Sequence, residues 1–113
     1  MNSILDFELT HGTFLATIDY YKEVPAIIDD NNTIIRDAYL AVTLRLNNNE
    51  TIKTRWYSKR IPYILRCLRT QLGEHIYKLT DALNIASTTP FTVHITIDSK
   101  YGQQIEYSKE EVI

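Results

Sequence analysis

The sequence predicts a mainly β domain built around one principal helix, with its elements in the order strand, strand, strand, helix, strand, strand. Three observations carry this. Successive stretches alternate apolar and polar residues with a period of two, the signature of half-buried strands. One apolar stripe at helical spacing falls between the third and fourth of them. Clusters of Asp, Asn and Gly separate the stretches, as turns require.

The first strand signal covers residues 12–28, where Phe14, Ala16, Ile18 and Tyr20 share one face and Leu15, Thr17, Asp19 and Tyr21 the other. Pro25 implies a bend, a bulge or an unpaired edge near it, because proline has no N–H for a ladder. The cluster from Asp29 to Asn32 is a turn, after which Ile34 and Ile35 lead into the next strand. Residues 38–46 alternate without a break, with Ala38, Leu40, Val42, Leu44 and Leu46 opposed to Tyr39, Ala41, Thr43 and Arg45. Three asparagines, Asn47 to Asn49, form a hairpin turn. The return strand, 51–57, places Ile52, Thr54 and Trp56 on one side and Lys53, Arg55 and Tyr57 on the other.

Ser58 reads as the N-cap region of the helix, and Pro62 suits a first helical turn, where a missing N–H costs nothing. Ile61, Ile64, Leu65, Leu68 and Leu72 make the helical stripe, and Gly73 is a natural stop. A second, short helix is expected at 81–87 with Thr80 as its cap. Two strands close the chain, 91–99 and 103–108, joined by the turn at Lys100, Tyr101 and Gly102. Residues 109–113 read as a short tail.

At 113 residues and 44% hydrophobic, the chain is expected to be one domain over 1–113. No apolar run approaches the ~18 residues of a membrane span, and no basic, apolar leader opens the chain. One cysteine, Cys67, fits a reducing compartment, so a cytoplasmic location is expected. The glycosylation sequons at Asn31 and Asn49 carry no weight without secretion.

Charge is segregated. Between Arg36 and Arg69 lie eight bases and two acids, a net of +6, whereas the remainder carries −8. A basic segment in a weakly acidic protein points to an anionic partner, since local field rather than net charge steers association. The outward face of the 38–57 hairpin would present Tyr39, Thr43, Arg45, Lys53, Arg55 and Tyr57, with no acid among them. Cations for phosphates and flat rings for unstacked bases are what single-stranded nucleic acid needs. Lys59 and Arg60 would extend the phosphate track, while Arg36, Arg66 and Arg69 read as bystanders. Trp56 has two readings: alternation places it in the core beside Ile52, and a bulge would swing it outward as a stacking platform.

The strand order is that of the OB-fold, a five-stranded barrel with its helix between strands three and four. Gly12-x-Phe14 in a long first strand, the 38–57 hairpin, the helix ending Leu68-Arg69-Thr70-Gln71-Leu72-Gly73 and the closing 91–107 hairpin resemble small OB-fold single-stranded-DNA-binding proteins of phages and mobile genetic elements. The resemblance implies that the face of the second and third strands is the nucleic-acid platform, and that the protein acts in replication or recombination as a dimer or higher homo-oligomer. Replication or recombination proteins are its implied protein partners, and RNA stands beside DNA as ligand. Glu110-Glu111-Val112-Ile113 only faintly echoes the acidic tip through which cellular single-strand binders recruit enzymes.

Catalysis and metals find no support. Asp29 to Asn32 lacks the glycine and glutamate that a calcium loop places at its sixth and twelfth positions, where Ile34 and Leu40 stand. His11, His75 and His94 are too scattered for zinc, with His94 reading as a strand-surface residue. Cys67 falls beside the helical stripe as a small hydrophobe. No enzyme, cofactor or metal is therefore expected. A second class of function is an interaction or inhibitor module acting on a host protein through acids at Asp6, Glu8, Asp19, Glu23, Asp29 and Asp30. A structural role in a virion is a third.

Overall fold

A computed structural model describes residues 4–108, so the expected tail at 109–113 lies outside the described residues. A 3-10 turn, Ile4–Asp6, is followed by β1 (Gly12–Val24), β2 (Ile27–Ile28), β3 (Ile34–Arg36), β4 (Tyr39–Leu46), β5 (Thr51–Tyr57), α1 (Ile61–Leu72), α2 (Leu79–Ala86), β6 (Phe91–Asp98) and β7 (Gly102–Glu106). Five strands form one antiparallel sheet in the order β5-β4-β1-β6-β7. The other two, β2 and β3, pair as a separate small hairpin that interrupts the route from β1 to β4.

The length of β1 has a simple cause. Its first residues, from Gly12 to Ala16, pair with β6, and from Ala16 to Val24 it pairs with β4. Pro25 ends it, so the expected strand over 12–28 divides into β1 and the short β2. The ladder also slips. Ile18 faces Leu44 and the next pair is Tyr20 with Thr43, which leaves Asp19 as a bulge. An extra residue reverses the alternation beyond it. Tyr20 therefore leaves the apolar set of Phe14, Ala16 and Ile18, to which the period of two assigned it, and joins the opposite face.

One face of the sheet carries the core. Ala16 and Ile18 from β1, Leu40, Val42, Leu44 and Leu46 from β4, Trp56 from β5, and Phe91, Val93 and Ile95 from β6 are all buried. Against them pack Ile64 and Leu68 of α1, the expected stripe, and Ala82, Leu83 and Ala86 of α2. The helix ends differ from expectation at three points. Arg60 rather than Ser58 is the N-cap of α1, with no side-chain bond to the helix, and Pro62 in the first turn supplies the initiation. At α2 the cap is Lys78 rather than Thr80, and the helix runs two residues earlier than the Asp81 start. Gly73 stops α1 as expected, its N–H donating to Arg69 O at 2.9 Å and its φ at +147°, where a side chain is strained and a Cβ would meet the His75 ring. No helix among the described residues is long and apolar enough to cross a membrane.

The sheet is open. The expected closed barrel would need β5 and β7 to pair, and both are free edges. Side chains span the gap instead. Arg60 donates to Ile105 O at 3.0 Å and to Glu106 Oε1 at 3.1 Å, and Tyr63 donates to Glu106 Oε2 at 3.2 Å. Gln71 of α1 takes the place of a strand: its amide donates to Thr92 O and Tyr107 O, and its carbonyl accepts Thr92 N–H at 2.6 Å. Gln71 thus ties α1 to the start of β6 and to the residue just beyond β7, while the edges of β5 and β7 stay unpaired with each other.

Candidate nucleic-acid interface

The face opposite the helices is built of cross-strand rows. Register places Thr17, Arg45 and Thr51 in one row across β1, β4 and β5, then Tyr20, Thr43 and Lys53, then Lys22, Ala41 and Arg55, then Val24, Tyr39 and Tyr57. Small residues, Ala41 and Thr43, form the middle, and long cationic or aromatic side chains rise on both flanks. The result is a trough of about 360 Å³ lined by Tyr20, Lys22, Tyr39, Thr43, Lys53 and Arg55 among others.

At one end of the trough the rings gather. Tyr39 and Tyr57, directly opposite each other, stand 5.3 Å apart between centroids at a 50° tilt. The Arg55 guanidinium lies 4.8 Å from the Tyr39 ring centre, and Arg36 lies 5.2 Å from it. Arg55 also donates to the Tyr57 hydroxyl at 3.4 Å, and this bond, with the fields of Tyr39 and Tyr57, holds its pKa above the usual arginine value. Arg55 is exposed all the same, so its charge meets solvent while its guanidinium lies over the Tyr39 ring.

Of the expected site residues, Tyr39, Thr43, Arg45, Lys53, Arg55 and Tyr57 do share this face. Four points change. Trp56 is fully buried, and the core reading is the one the structure takes: its ring packs edge-on to Tyr107 and cannot stack a base. Arg45 does have an acid beside it, because the bulge brings Asp19 to within 3.1 Å and 3.4 Å of its guanidinium. Arg60 is turned toward β7, bound to Glu106 and 5.9 Å from the Tyr107 ring centre, and so belongs to the helix side. Lys59 is almost wholly exposed in the turn before α1, 3.9 Å from Asp37. Lys22, Lys53 and Arg55 have no ion pair among the described residues.

Periodicity missed three contributors. Tyr20, 61% exposed, and Lys22 arrive on this face only through the bulge. The faint signal for it is an acid, Asp19, inside an apolar run. Arg36, read as a bystander because it lies outside the hairpin, is held over Tyr39 by its own bond to Pro25 O at 2.9 Å. His94 differs as well: expected on a strand surface, it is 8% exposed, with Nδ1 2.9 Å from the Thr13 hydroxyl.

The acids of the alternative reading are dispersed. Asp19 pairs with Arg45, Glu8 with His11, and Asp29 accepts the N–H groups of Asn31 and Thr33 to shape its turn. Comparison with family models, with curated proteins and with solved structures finds no match to this chain. Fold and site thus define a class only: a mainly β domain with a helical layer on one sheet face and a basic, aromatic trough on the other.

Proposed function

We propose that this chain is a non-catalytic single-stranded-DNA-binding protein of low sequence preference, built on an open variant of the OB plan. The observation that carries the reading is the coincidence of Lys22, Lys53 and Arg55, all without an ion pair among the described residues, with Tyr20, Tyr39 and Tyr57 on one sheet face. The order of strands and the place of the helices between the third and fourth strands of the main sheet support the OB assignment, a fold itself described as partly open. Cations hold the phosphates; the exposed ring of Tyr20 and the edge ring of Tyr57 receive bases. Sequestration of the strand, rather than chemistry upon it, is the mechanism. Phage or mobile-element replication or recombination, in the cytoplasm, is the setting that suits such an activity, with self-association lengthening the site.

The reading is tested by charge reversal. Lys22→Glu, Lys53→Glu and Arg55→Glu together should abolish binding of a labelled oligo-dT while leaving the circular dichroism spectrum unchanged. Undiminished binding by that variant sinks the proposal. Titration with oligo-dU and oligo-U in parallel separates DNA from RNA preference, because the two differ only at the ribose 2′ position.

A further inference from the structure

The arm between β1 and β4 carries four isoleucines, Ile27, Ile28, Ile34 and Ile35, that are 44–65% exposed. Scattered surface apolar residues need no explanation, but four on one short hairpin do. At the foot of this arm lies an apolar groove of about 350 Å³, lined by Tyr21, Tyr39, Leu40, Ile61, Leu79 and Leu83 among others. It opens on the helix side of the sheet, where α1 and α2 leave the end of β1 uncovered. An exposed apolar ridge and an open apolar groove thus occur side by side.

We infer that the arm of one copy lies in the groove of a second copy, and reciprocally, to form a two-fold dimer. Contiguity argues for it. The groove is lined by residues immediately before and after the arm (Tyr21 and Glu23, Ala38 and Tyr39), so one two-fold axis beside the arm's foot seats both arms at once. Charge argues for it too. The arm's tip carries exposed Asp30, and exposed Lys78, next in sequence to the lining residue Leu79, has no ion pair among the described residues; Lys59 is paired with Asp37, and Asp81 adjoins the lining residue Thr80. Glu23 is the acid within the lining.

Ile4, Leu5 and Phe7 are themselves exposed, so none of these apolar residues fills the groove. Tyr39 lines both the groove and the basic trough, so the dimer brings two troughs together. That last consequence rests on the proposed DNA-binding reading; the dimer itself does not.

Sedimentation equilibrium of the full chain, up to about 200 µM, tests the dimer, since self-association depends on concentration. The expected result is a doubled mass for the wild type and a single-chain mass for Ile28→Asp with Ile35→Asp, with an unchanged circular dichroism spectrum. Copies bearing Ile35→Cys and copies bearing Thr80→Cys, both with Cys67→Ser, should cross-link on mixing. Asp30→Lys should weaken the dimer at least several-fold, and adding Lys78→Asp should restore it. A wild type that stays single at every concentration overturns the inference, as does a dimer indifferent to the isoleucine changes. So do isoleucine variants that keep the wild-type mass but lose oligo-dT binding, because they would assign the ridge to nucleic acid.

Discussion

Trp56 Nε1 donates to the Tyr107 hydroxyl at 2.6 Å, and both side chains are fully buried. The bond joins edge strand β5 to the residue just beyond edge strand β7, so it holds the two ends of an open sheet together. Its rings meet edge to face, with centroids 5.4 Å apart at 83°. Neither polar atom has water to fall back on. Tyr107→Phe should destabilise by about 1–3 kcal/mol, because it leaves the buried Trp56 N–H without its partner, and Trp56→Phe by less on this count, because Thr54 also bonds the Tyr107 hydroxyl. The double variant should cost clearly less than the sum, and denaturant unfolding in a double-mutant cycle reads the difference.

The same burial makes Tyr107 a sensor of alkali. Desolvation pushes its pKa up from 10 to about 12, against the smaller opposing effect of the Trp56 bond. A neutral phenol favoured in the folded state contributes stability that is full below the unfolded pKa and is lost as pH rises through the folded one. Stability should therefore fall between pH 10 and 12, by about 2–3 kcal/mol for this group. Tyr107→Phe should shrink that alkaline slope in chemical denaturation.

Gln71 bridges α1 to the start of β6 and to the residue just beyond β7. Gln71→Leu keeps the volume but leaves Thr92 N–H, Thr92 O and Tyr107 O without their partner. A loss of at least ~2 kcal/mol is expected, since each orphaned backbone group costs about 1–3 kcal/mol. Hydrogen exchange at Thr92 N–H should accelerate in step.

Asp19 is the bulged residue of β1 and pairs with Arg45. Asp19→Asn removes the charge and leaves the backbone able to keep its register. Oligo-dT affinity should then rise several-fold and the slope of log K against log salt should steepen by about 0.7, the share of one added phosphate contact on a single strand. An unchanged slope means that Arg45 stays off the phosphates.

Tyr20 separates stacking from charge. Tyr20→Ala should weaken oligo-dT binding by about 1–3 kcal/mol with no change in salt slope. A change in slope, or none in affinity, removes Tyr20 from the platform.

What the sequence made legible follows from the physics of each element. The β4–β5 hairpin and α1 are read almost residue for residue, because strict alternation and a single apolar stripe each admit one buried face. The cross-strand partners Tyr39 and Tyr57 follow from that hairpin alone. The bulge at Asp19 does not, since one unpaired residue reverses a strand without altering its composition, and with it went Tyr20 and Lys22. Arg36 and Tyr39 are close in sequence, yet their contact depends on how the small β2–β3 arm returns to the sheet. The open edge was hidden for a related reason: whether β5 meets β7 depends on tertiary contacts such as those of Arg60 and Tyr63 with Glu106, which no periodicity describes.

The most direct test of the central claim is the salt dependence of oligo-dT binding by the wild-type chain, followed by fluorescence anisotropy from about 50 to 200 mM salt. Three phosphates neutralised by Lys22, Lys53 and Arg55 predict a slope near −2, which is roughly a twentyfold loss of affinity across that range. Absence of binding at the lowest salt, or an affinity indifferent to salt, contradicts the account.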